Sequence, residues 1–146
     1  MINHFYSYTP ELEAIIKNDP VRPHIPMHKR FGDNRAISVF GSIDDPGAVV
    51  CYSILDSAPK SEDDLFTSIT LAPNVACLYT IWSIKRGDAR KLVFEMLRYL
   101  RDEKGVKRVV TLSPSTDMAR RFHMNNGAFI FRTNENEDTV NYEYTV

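Results

Sequence analysis

A mixed, mostly antiparallel sheet with helices on both faces, an α/β (α+β) domain, is what this sequence predicts, and three observations carry the prediction. Two β-rich runs, 36–43 and 48–55, flank Asp44-Asp45-Pro46-Gly47, a set of turn-forming residues, so they pair as an antiparallel hairpin. An apolar strand at 75–84, a helix after it and a strand at 107–112 form a crossover, the connection that lays two strands parallel. The third observation is size: 146 residues, 43% apolar and 25% charged, suit one ordered domain spanning 1–146. Such a chain buries about two-thirds of its unfolded surface and needs no disulfide or metal staple.

The elements follow in order. Pro10 and Glu11 come after Thr9, a good cap, and Leu12, Ala14, Ile15 and Ile16 make a short first helix that ends near Asp19-Pro20. Residues 20–35 hold three prolines and form an irregular connection, and the hairpin comes next. Residues 56–74 are polar, with Glu62, Asp63 and Asp64 in a row, and read as a loop with at most one helical turn. After the strand at 75–84, Lys85-Arg86-Gly87 breaks the run and Asp88 is placed to cap a helix. Its apolar positions, Ala89, Leu92, Val93, Met96, Leu97 and Leu100, recur at helical spacing until Gly105. Beyond the strand at 107–112, Pro114 and Ser115 open a short helix with Ala119 and Phe122 on its apolar side, ending at Asn126-Gly127. Two strands close the chain, 128–133 and 139–146, around the polar turn 134–138. The predicted order is β-β-β-α-β-α-β-β with a helix near the front.

Charge and composition exclude several classes. Eighteen basic against nineteen acidic residues give a net charge of −1, so no global field draws the chain to nucleic acid. No apolar run approaches the roughly 20 residues that cross a bilayer, and residues 1–20 lack a basic start and an apolar core, so a soluble cytoplasmic protein is expected, with no membrane partner. Cys51 and Cys77 sit inside apolar runs without ligand neighbours and read as reduced core residues. His24 and His28 are four apart, but Pro23 and Pro26 disfavour the helix that would converge them, so no metal site is expected. Glu62, Asp63 and Asp64 read as a solvated charge run, with an acyl-transfer base as their functional alternative. Tyr79 and Trp82 read as core, although one side of their strand could line a cleft.

The stretch most suited to a ligand is Ile84-Lys85-Arg86-Gly87-Asp88-Ala89-Arg90. Gly87 lets backbone approach an anion, the helix start offers free amides, and Lys85, Arg86, Arg90 and Lys91 add positive charge. Asp88 opposes this, because a carboxylate on those amides competes with phosphate. The element order and this turn resemble the GCN5-related N-acetyltransferase (GNAT) superfamily over most of the chain, with detailed matches in 75–146. Its phosphate loop reads R/Q-x-x-G-x-G/A. Gly87 and Ala89 match the last two fixed positions, and Ile84 stands where Arg or Gln is usual. The resemblance implies binding of coenzyme A or an acyl-CoA as a small-molecule partner and substrate; a homodimer is left open.

A second resemblance lies within the first. Thr111-Leu112-Ser113-Pro114, Phe122-His123-Met124-Asn125-Asn126-Gly127-Ala128 and Val140-Asn141-Tyr142-Glu143-Tyr144 resemble, in order, the L-S-P turn, F-H-x-x-N-G-A helix end and V-N-Y-x-Y strand of malonyl-CoA decarboxylase. Leu78-Tyr79-Thr80-Ile81 is similar to its F-Y-S-I strand. The family's longer Gly-rich loop, its insertion before the F-H motif and its helical N-terminal domain have no counterpart, so the expectation is a pared-down catalytic core. The resemblance implies loss of CO₂ from malonyl-CoA, with Ser113 and His123 as the functional pair, Tyr142 as a third polar group, and Arg86, Arg120 or Arg121 on the malonyl carboxylate. A helix starting near Thr116 carries His123 about 10 Å along its axis, so separate roles for Ser113 and His123 are expected over a direct nucleophilic pair. The alternatives are an N-acyltransferase, disfavoured because His123 occupies the usual Tyr slot, and a non-catalytic binding module that kept the fold, for which Ile84 and Asp88 speak.

Overall fold

The computed structural model describes residues 1–66 and 71–146. One sheet of eight strands organises them: β1 (Ile2–Phe5), β2 (Arg35–Ser42), β3 (Asp45–Leu55), β4 (Val75–Ser83), β5 (Arg108–Thr111), β6 (Ser113–Pro114), β7 (Phe129–Asn134) and β8 (Thr139–Tyr144). Three helices accompany it: α1 (Pro10–Ile16), α2 (Asp88–Asp102) and α3 (Asp117–Asn125). The strands run β1-β2-β3-β4-β5-β8, with β6 continuing the β5 side of β8 and β7 forming the far edge. Among the described residues only the β4–β5 pair is parallel, joined by the α2 crossover; the other pairs are antiparallel. The mixed sheet with helices on both faces is the predicted class.

Two apolar layers sandwich the sheet. On one face α1 and the segments around Ile25 and Leu65 cover Ile37, Val39, Val49, Cys51, Cys77 and Val110. On the other, Ala89, Leu92, Met96 and Leu100 of α2 cover Ala36, Val50, Tyr52, Ala76, Leu78 and Val109. The helical spacing of those four residues is what turns one face of α2 to the sheet.

Several boundaries differ from the sequence reading. The strand β1 was not anticipated: Ile-Asn-His-Phe is too short to show a period, and it forms because its edge pairs with β2 from Ile2↔Phe40 to Phe5↔Ile37. The hairpin turns at Ile43-Asp44, between the paired Ser42 and Asp45, so Gly47 lies inside β3. Gly47 matters for another reason: a Cβ there would stand 2.0 Å from Oδ2 of Asp88, so its missing side chain makes room for that carboxylate. Asp88 does not cap α2. Gly87 holds the cap position at φ 86°, and the amide of Ala89 is taken by Oγ of Ser83 at 2.8 Å. Residues 113–114 form β6, and α3 begins later, at Asp117, because Thr116 accepts the amide of Ala119 at 3.2 Å. Within the 56–74 loop Asp63–Phe66 make a 3₁₀ turn; 67–70 lie outside the described residues.

The proline-rich connection is pinned from inside. Arg30 and Asp19 form an ion pair at 2.9 Å with both side chains fully buried. Arg30 also donates to the carbonyls of Ile25 (3.1 Å) and Arg22 (2.7 Å) and to Sγ of Cys51 (3.3 Å). Asp19 accepts from the amides of Val21 and Arg22 and the hydroxyl of Thr80. One cluster thus ties α1, the connection, β3 and β4 together.

Candidate functional site

The parallel ladder between β4 and β5 ends at Leu78↔Thr111, after which β4 runs on to Ser83 while the other strand turns through Leu112 into β6. The two central strands part there, and a bulge in β4 at Tyr79, opposite the Cys51/Tyr52 shift, sits at the start of the wedge. On the β8 side, Val109, Thr111 and Ser113 alternate onto the α2–α3 face, as do Val140, Tyr142 and Tyr144, which pack with Val93 and Phe122. Ser113, His123 and Tyr142, the predicted functional residues, therefore share one face of the sheet.

Their contacts are specific. His123, on the last turn of α3, is 4% exposed and its ring stacks on that of Tyr142, centroids 5.1 Å apart and 28° between planes. Its Nδ1 lies 2.7 Å from the hydroxyl of Tyr144, and the rings of Phe122 and Tyr144 meet it edge-on. Burial pulls its pKa from 6.5 down to about 4, so the ring is neutral at physiological pH. Ser113 is buried and its Oγ bonds Oγ1 of Thr111 at 2.8 Å; Thr111 Oγ1 in turn accepts the amide of Tyr142 at 3.1 Å. Ser113 and His123 make no hydrogen bond with each other. The hydroxyl of Tyr142 has no partner among the described residues; burial raises its pKa and the nearby Arg120 guanidinium opposes that rise.

The turn before α2 is the other half of the candidate site. The amides of Ile84 and Lys85 both bond the carbonyl of Gly47 at 2.8 Å, and that of Asp88 bonds the carbonyl of Lys85 at 3.1 Å. With Ala89 held by Ser83, the amides of Arg86, Gly87 and Arg90 remain without a partner outside the helix among the described residues. The carboxylate of Asp88 faces Gly47 and Lys91 (3.6 Å), not the amides of its own helix start. A Cβ on Gly87 would meet nothing within 4 Å, so the loop surface there is open. Lys85 pairs with Asp45 at 2.7 Å; Arg86 is exposed, and Arg90 lies over the exposed ring of Phe94.

On the opposite face a cleft of ≈ 300 Å³ is lined by Arg22, Ser61, Glu62, Asp63, Glu137 and Thr139. Sequence reasoning missed Arg22. It is buried, donates to the carbonyl of Tyr79 in the β4 bulge and to Glu62 at 2.9 Å, and Glu62 also holds His24 at 2.8 Å. Cys51 and Cys77 are free and buried, and burial pushes the Cys51 thiol up to about 12. A second cleft, ≈ 450 Å³, lies between Arg108, Phe131, Arg132 and the 55–60 segment. No group of three or more metal-ligating side chains gathers among the described residues, and no helix is long and apolar enough to cross a membrane.

No family model and no curated protein matches the chain. Solved structures do. A malonyl-CoA decarboxylase from Rhodopseudomonas palustris superposes with a TM-score of 0.80 at 18% identity over 100% of this chain and 60% of its own. The GNAT domain of S. lividans PAT superposes at 0.69 with 14% identity, covering 99% of this chain and 89% of that one. The chain has the GNAT fold. A Bacillus subtilis acetyltransferase solved in complex with CoA agrees, at TM-score 0.68 and 11% identity over 99% and 97% of the two chains. The chain spans 60% of the length of the decarboxylase structures it matches.

Proposed function

We propose that the chain is an acyl-CoA enzyme whose reaction is decarboxylation of a malonyl thioester, malonyl-CoA plus a proton giving acetyl-CoA and CO₂. The observation that carries the reading is the neutral, buried His123 ring, set on Tyr142 at the parting of the central strands with Ser113 on the same face. Breaking the C–C bond to the carboxylate leaves an electron pair that moves onto the thioester as an enolate. Its oxygen needs a hydrogen-bond donor and its carbon needs a proton. His123 and Ser113 are the donors for the oxygen, in separate positions along the acyl group. Tyr142, whose raised pKa keeps it protonated and whose ring stacks on His123, is the acid for the carbon. The open backbone at Gly87, with Arg86, Arg90 and the free amides of the helix start, would take the pyrophosphate, and Arg120 beside Tyr142 would hold the malonyl carboxylate before it leaves.

One observation favours a second reading, transfer of an acetyl group from acetyl-CoA to an amine. The cleft at Arg22 carries Glu62, Asp63 and Glu137, a negative lining suited to a cationic acceptor. Purified protein incubated with malonyl-CoA should release CO₂ and acetyl-CoA, and His123→Ala should lower that turnover about a hundredfold or more, the usual contribution of a positioned donor. Absence of turnover, together with acetyl transfer to members of an amine panel, would replace the first reading by the second. Failure of any acyl-CoA to bind in a calorimetric titration would remove both.

A further inference from the structure

The contact between His123 and Tyr144 has two chemical forms, and they give the ring opposite functions. If the phenol donates to Nδ1, Nε2 carries the hydrogen and the ring offers a donor. If Nδ1 donates to the phenol, Nε2 is a bare acceptor and the phenol's own hydrogen must find another oxygen or nitrogen. The surroundings of the phenol decide between them. Tyr144 and His123 are both buried, 2.7 Å apart, and the hydroxyl has no other hydrogen bond among the described residues. Among those residues Nδ1 of His123 is therefore the one acceptor within reach of the phenol's hydrogen. If Nδ1 donated instead, the buried phenol would keep a hydrogen with no acceptor. The direction from Tyr144 to His123 gives that hydrogen its partner.

We infer that Tyr144 is a positioning residue that locks His123 as the neutral Nε2–H tautomer, so that the ring presents a hydrogen-bond donor, not a base, to the acyl group. The ligand in this statement rests on the acyl-CoA reading above; the tautomer does not. Nε2 makes no hydrogen bond within the chain among the described residues, so the donor is available. A neutral imidazole holds an enolate oxygen without giving up its proton, and it pays no penalty for charging inside an aromatic cage.

The test is a two-bond proton–nitrogen spectrum of the imidazole in the ¹⁵N-labelled full chain, recorded from neutral to mildly acidic pH. The expected result is a bare Nδ1 and a protonated Nε2 throughout. In Tyr144→Phe both nitrogens should move toward the averaged positions of exchanging tautomers, while the amide spectrum keeps its native dispersion. The native spectrum by itself decides the tautomer if Tyr144→Phe does not fold. With malonyl-CoA, Tyr144→Phe should lower kcat about tenfold or more with little change in KM, the mark of a misoriented group and not a lost binding contact. A protonated Nδ1 in the native chain, or ring nitrogens indifferent to Tyr144→Phe, would overturn the lock. A locked ring in a chain that turns over no acyl-CoA would uphold the lock and remove the decarboxylase reading instead.

Discussion

His123 lies against Tyr142 and shares its Nδ1 with Tyr144, and this environment predicts how stability responds to acid. The folded ring titrates near 4 and the unfolded ring near 6.5, so the unfolded chain takes up the proton first as pH falls. Stability from this group is complete above about pH 6.5 and is lost as pH drops toward 4, by about 3 kcal/mol in all at roughly 1.4 kcal/mol per pH unit. His4, lowered by burial and by Lys104, works in the same direction. Melting temperatures measured from pH 7 to pH 4 should fall less steeply in His123→Gln than in the native chain; parallel curves would show that the ring is not buried as described. At this scale the sequence was partly legible. Ser113, His123 and Tyr142 stand in short motifs that resemble a known family, and all three reach one face. The lowered pKa of the ring was not legible, because the tyrosines packed around it lie about twenty residues away and their register is set by β8. Arg22 gave no signal, since one arginine between prolines looks solvated until Tyr79 and Glu62 are seen around it.

Among the elements, those with a long period were readable and those made by pairing were not. The α2 helix announced itself by five buried positions at helical spacing, and the apolar run of β4 by its length. β1 and β6, four and two residues long, exist only because a neighbour offers an edge. The start of α3 was misplaced because Pro114-Ser115 resembles a helix opening, whereas the side chain that satisfies the first amides belongs to Thr116. Thr116→Ala should therefore cost about 1 kcal/mol in chemical unfolding, while Ser115→Ala should be nearly neutral. A loss at Ser115 equal to that at Thr116 would contradict the assignment. The start of α2 depends on a different device, a left-handed glycine with nothing above it, so this turn stays bare of side chains where the neighbouring cations gather.

For the molecule as a whole, the fold class was legible because an early hairpin followed by a crossover leaves few arrangements of one sheet. What holds the N-terminal third to that sheet was not, because Asp19 and Arg30 sit in stretches that read as polar loop. Removing one partner strands the other charge in the core, which costs about 3–5 kcal/mol, against a total stability of about 5–15 kcal/mol for a domain. Arg30→Ala should thus lower the unfolding midpoint far more than Lys85→Ala, whose pair with Asp45 is exposed and is worth at most about 1 kcal/mol. A double substitution, Asp19→Leu with Arg30→Met, should recover part of the loss; no recovery would mean that the cluster acts through its backbone bonds alone. At the other margin of the sheet β7 has a partner on one side only, and Phe129, Ile130 and Phe131 remain 48%, 44% and 41% exposed along it. Two guanidinium groups, those of Arg108 and Arg132, lie over the ring of Phe131 at 4.5 and 5.4 Å. They act as gatekeepers: an oily ribbon with idle amides invites copies of the chain to stack into aggregates, and the cost of stripping water from paired cations is what keeps crowded molecules apart.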